Sequence, residues 1–145
     1  MTLYSDPDMI EAKLWEYQEI LHSKGWKYLD KGRHRVGYLS PRGDAVIKIA
    51  HCPTGIAANK EEFTLSRDPE LLAARFSDSN VAVAEVFGLG SHLGLSILCM
   101  EFVEELDIPL KDYPKWTDKI DNYQVGYNKD KKMVAFDFSQ SRFVR

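Results

Sequence analysis

Ala45-Val46-Ile47-Lys48-Ile49-Ala50, preceded by Pro41-Arg42-Gly43-Asp44 and followed by Gly55-Ile56-Ala57-Ala58-Asn59-Lys60-Glu61-Glu62, is the stretch that decides the fold. In a strand, Ile47 and Ile49 take one face while Val46, Lys48 and Ala50 take the other. A lysine between apolar strand neighbours is costly to bury unless it is paired or meets a ligand. The next segment offers the pair: Ile56, Ala58/Asn59, Glu62/Phe63 and Leu65 fall on one side of a helix, which aims Glu62 inward.

Working outward, the N-terminal segment predicts a helix ending at Gly25, with Ser5 as its cap, Pro7 in the first turn and Asp6 and Asp8 at the positive end of the dipole. Its apolar stripe is Ile10, Leu14, Tyr17 and Leu21, widened by Trp15 and Ile20. Strand patterns follow at Trp26-Lys27-Tyr28-Leu29 and Val36-Gly37-Tyr38-Leu39, with Pro41-Arg42-Gly43-Asp44 as a turn. Asp68 and Pro69 start a short helix through Leu71, Leu72, Ala73 and Phe76. Apolar runs at Val81–Gly88 and Leu95–Phe102 predict two further strands, giving an α+β domain.

At 145 residues, with 44% apolar and 12% aromatic residues, the chain is expected to fold around one core. A net charge of −3 gives no electrostatic footprint for nucleic acid or an anionic membrane. No apolar run reaches the length of a membrane span, and the polar opening residues do not read as a signal peptide. Cys52 and Cys99 have no framework spacing, and His22, His34, His51 and His92 show no metal-ligand spacing. These features set the expectation of a cytoplasmic protein with reduced thiols.

The set Gly32, Arg35, Tyr38, Lys48, Gly55, Ile56, Asn59 and Glu62 resembles the small lobe of the protein-kinase-like superfamily, in particular short truncated kinase-like (pseudokinase) proteins of bacteriophages. The resemblance implies a kinase small-lobe-like antiparallel sheet with an N-terminal helix (1–25) and a helix carrying Glu62, spanning 26–106. A truncated second lobe with a β-hairpin would follow at 107–145. Met100-Glu101-Phe102-Val103-Glu104 resembles the hinge that meets an adenine ring, and Asp137-Phe138-Ser139 the magnesium-binding segment. The nucleotide-binding residues so implied are Lys48, Glu62, Glu101, Val103, Gln124 and Asp137, with Asp137 and Gln124 as ligands for magnesium bound with ATP.

The chain departs from that pattern where chemistry is done. An active kinase places Asn thirteen residues before the metal-binding Asp and the catalytic Asp five residues earlier still. Those positions hold Gln124 and Lys119, with Asp118 and Asp121 nearby. Only Gly32 and Gly37 flank the bulky Arg33-His34-Arg35, a poor phosphate-covering loop. The six residues after Ser139 set the expectation of no activation segment and no helical lobe.

Phosphoryl transfer depends on positioning and electrostatics, so these losses remove several contributions together. The leading expectation is a noncatalytic protein of this fold, phage-encoded, acting on a host or viral protein partner or within a virion assembly, without a required cofactor. The competing reading is a minimal ATP-dependent kinase using Lys48, Glu62, Gln124 and Asp137, with Asp118 or Asp121 as base. A third is a complementing chain or homodimer that completes the missing lobe. Tyr113, Trp116, Tyr123 and Tyr127 beside Lys111, Lys115 and Lys119 are offset by Asp107, Asp112, Asp118 and Asp121, which favours a packed cap over a nucleic-acid surface.

Overall fold

The computed structural model describes residues 3–106, 113–120 and 124–139. Its first helix, α1 (Pro7–Ser23), follows a 3₁₀ turn at Leu3–Ser5. The cap is Asp6 rather than the expected Ser5, its carboxylate accepting from the amides of Asp8 and Met9. Ile10, Leu14 and Leu21 are buried as expected, whereas Trp15 is 66% exposed and does not widen the stripe.

That sheet is antiparallel throughout, in the order β1-β2-β3-β5-β4. Its strands are β1 (Lys27–Lys31), β2 (Arg35–Leu39), β3 (Ala45–Ala50), β4 (Val86–His92) and β5 (Leu95–Glu101). The first of the two apolar runs, Val81–Gly88, was expected to form a strand from Val81. Instead pairing with β5 starts at Val86, and Ala82–Ala84 crosses to a different sheet through backbone bonds with Ala135. A smaller antiparallel sheet contains β6 (Glu104–Glu105), β7 (Val125–Tyr127) and β8 (Met133–Ala135). Gly126 is required there, since a Cβ would collide with the Glu104 carbonyl.

Two clusters divide the core. On the α1 side, Leu14 and Leu21 pack with Val36, Tyr38, Ile47, Ile49 and Leu95. The odd-numbered isoleucines of β3 thus point where the alternation predicts. On the opposite side, Val46, Leu98 and Met100 join Leu65, Val125, Val134 and Phe138, fusing the two sheets. The expected packed cap near Trp116 is present, with Trp116, Thr117 and Ile120 buried around a 3₁₀ turn at Lys115–Lys119.

The remaining helices are α2 (Pro53–Arg67) and α3 (Pro69–Phe76), the latter capped by Asp68 as expected. Pro53 gives α2 a preset first turn. Gly55 lets the helix lie against the β1–β2 turn, because a Cβ there would strike the His34 carbonyl. Consequently α2 crosses the large sheet with Ala58, Asn59, Glu62 and Leu65 buried. Among the described residues no helix is long and apolar enough to cross a membrane.

Candidate functional site

Lys48 lies on the sheet face away from α1, opposite Gly37 of β2, and α2 brings Glu62 to it. The Lys48 ammonium donates to Glu62 Oε1 at 3.2 Å and to the Phe136 carbonyl. Glu62 is fully buried and accepts from five donors: two Arg35 nitrogens, Lys48, and the amides of Phe138 and Ser139. The expected pair is therefore present, but as part of a larger network.

Arg35 is the residue that sequence reasoning placed in the motif and not in the site. Its guanidinium meets Glu62 in a fork, at 2.9 and 3.0 Å, and reaches Asp137 Oδ1 at 3.1 Å. It also donates to Asn59, whose amide holds the Lys48 carbonyl and Ser96. The planar, permanently charged guanidinium suits such two-point carboxylate binding. A usable signal existed in the chain: Arg35 alternates with Val36 and Tyr38, so it must share the face of Gly37 and, across the turn, of Lys48.

Two cations and two carboxylates are thus packed together, and the electrostatics follow. Burial pushes the Glu62 carboxyl up, but Arg35, Lys48 and the Ser139 amide overcome it and hold the group at about 2. For Lys48, burial lowers the ammonium, reinforced by Arg35 and opposed by Glu62 and Asp137. Burial raises the Asp137 carboxyl, with Lys48 and Arg35 pulling it back. Arg35 stays charged, because Glu62 and Asp137 outweigh its desolvation.

The network lies at one end of a cleft of about 690 Å³, within the size range of small-molecule sites. The other end is formed by the Met100–Glu105 segment, so the expected Glu101 and Val103 both line it. The Glu101 carboxylate accepts from the Glu85 amide, and the Glu101 and Phe102 amides donate to the Glu85 and Asp44 carbonyls. Gln124 and Asp137 also line the cleft, and the Phe136 amide bonds the Gln124 carbonyl. Of the six sequence-expected residues, Lys48, Glu101, Val103, Gln124 and Asp137 line the cleft, whereas Glu62 is fully buried behind it and is joined to it through Lys48 and Arg35. Asp118, the expected substitute base, sits on the 3₁₀ turn and is not among the described residues lining the cleft; Asp121 lies outside the described residues.

The implied magnesium ligands fit a divalent ion poorly. Magnesium is held by one or two carboxylates plus phosphate oxygens in an octahedron. Here the single carboxylate, Asp137, already faces the Arg35 cation, and Gln124 supplies a neutral amide. Among the described residues no group of three or more His, Cys, Asp or Glu can hold a metal.

No family model matches the chain, and no curated protein matches it. Among solved structures it is similar to the crystal structure of the M. tuberculosis PknI kinase domain, at 18% identity and a TM-score of 0.43. The match covers 79% of this chain and 58% of that one, so the chain spans under two thirds of that domain's length.

Proposed function

We propose that this chain is a noncatalytic protein with a kinase small-lobe-like fold, which grips a nucleotide in its cleft and acts through contact with another protein. The observation that carries the reading is the buried Lys48–Glu62 pair, at 3.2 Å, facing a cleft whose far end is the backbone of Glu101–Val103. Desolvated charges of this kind are costly, and perturbed charged groups in clefts cluster at functional sites. The order of the large sheet and the placement of α2 against β3 support the fold reading.

Transfer is disfavoured by residue identities. Lys119 and Gln124 occupy the positions of the base and the second metal ligand, and Asp137 is engaged by Arg35. Contact with a partner protein is supported by Trp15, a tryptophan left in solvent on a helix whose other side is packed, since tryptophan is enriched among interface anchors.

Thermal melts with and without millimolar ATP test the reading, because a ligand that binds only the folded state raises Tm. A rise of several degrees that disappears in Lys48→Met supports it. No rise removes the nucleotide from the proposal, and transfer of the γ-phosphoryl group of ATP to this chain or to an added protein, lost in Asp137→Asn, would replace it with a minimal kinase.

A further inference from the structure

Arg35 Nη2 and Asp137 Oδ1 form an ion pair at 3.1 Å, so the one carboxylate among the implied magnesium ligands already faces a cation. Both Glu62 oxygens are consumed by their five donors, so Glu62 cannot turn toward a cation. Asp137 Oδ1 receives Arg35 Nη2, and a divalent ion at that carboxylate would stand beside a guanidinium that is itself held rigidly by Glu62 and Asn59. Like charges at such separation, partly out of water, repel strongly. Arg33, Arg35 and Lys48 all line the cleft, together with the carboxylate residues Asp30, Glu101, Glu104, Glu105 and Asp137.

Resting on the nucleotide reading above, we infer that the cleft takes its nucleotide without a metal ion, Arg35 and Lys48 providing the positive charge that magnesium provides elsewhere. The ligand class is a free nucleoside di- or triphosphate. Its phosphate oxygens approach the Lys48 ammonium, with Arg35, whose Nη atoms donate to Glu62, Asn59 and Asp137, adding its charge from behind. The Arg35–Glu62 fork keeps the guanidinium plane fixed, so little ordering is needed on binding.

Calorimetric titration with ADP and with ATP, each in excess EDTA and again in millimolar magnesium, tests this. The expected result is an affinity in EDTA equal to or tighter than that in magnesium. An affinity tenfold or more tighter with magnesium overturns the metal-free site and leaves nucleotide binding standing. No heat and no melting shift in either condition overturns nucleotide binding itself, and this inference with it. Asp137→Asn provides a second arm: it removes the Arg35–Asp137 ion pair and releases Arg35 Nη2 toward phosphate, so tighter binding in both conditions is expected. Loss confined to the magnesium condition would make Asp137 a metal ligand and contradict the inference. Arg35→Gln, checked for folding by circular dichroism, is expected to lose at least tenfold in EDTA.

Discussion

Replacing Glu62 by glutamine keeps the shape of the side chain and removes its charge, leaving Arg35 and Lys48 buried with only Asp137 to balance them. The cost can be worked in two ways. Removing one partner of a buried ion pair costs ~3–5 kcal/mol. Independently, the carboxyl is held at about 2 against an ordinary 4.5, and at ~1.4 kcal/mol per pH unit this separates its charged and protonated forms by ~3 kcal/mol. Because Glu62 is fully buried, solvent does not discount that figure. The sign follows from a depressed carboxyl: the stabilisation is complete above pH 4.5 and is lost as pH falls toward 2. Urea unfolding of both proteins at pH 7 and pH 3 is the assay. The gap between them should be ~3 kcal/mol at pH 7 and shrink to ~1 kcal/mol at pH 3. Asp137 is shifted the other way, so the difference between the proteins is the quantity to read rather than either curve alone. A gap below ~1 kcal/mol at pH 7, or one that does not change with pH, would refute a buried charged network at Glu62.

Other expectations are simpler to check. Gly55→Ala forces a methyl against the His34 carbonyl and Ala50, both backbone-anchored, and should cost ~1–3 kcal/mol in urea unfolding, whereas Gly88→Ala, with open space around it, should stay within ~0.5 kcal/mol. Trp15→Ser should likewise change stability by no more than ~0.5 kcal/mol while abolishing any partner contact made through α1, measured by co-purification with that partner.

Most of the fold was legible because its signals are local. Alternation in Val46–Ala50, the Asp68-Pro69 helix start and the glycine after α1 each act within a few residues. The Val81–Ala84 run misled for a physical reason. An apolar stretch tells that it will be covered but not by which sheet, and here its backbone goes to Ala135, more than fifty residues on. Similarly Trp15 falls near a helical stripe, yet only Leu14, Leu21 and Tyr17 of α1 join the cluster on the sheet and Trp15 stays in solvent. Within the site, Lys48 and Glu62 could be paired from spacing, while the role of Arg35 depends on Asp137 lying beside it, a contact across 102 residues.

The most direct measurement of the central claim is a crystal structure of the protein grown with saturating ADP. It should show the phosphates against Lys48 and Arg35 and the base against the backbone of Glu101–Val103, with the Arg35–Glu62 fork intact. An empty cleft at saturating nucleotide, or a nucleotide bound elsewhere on the chain, would contradict the account.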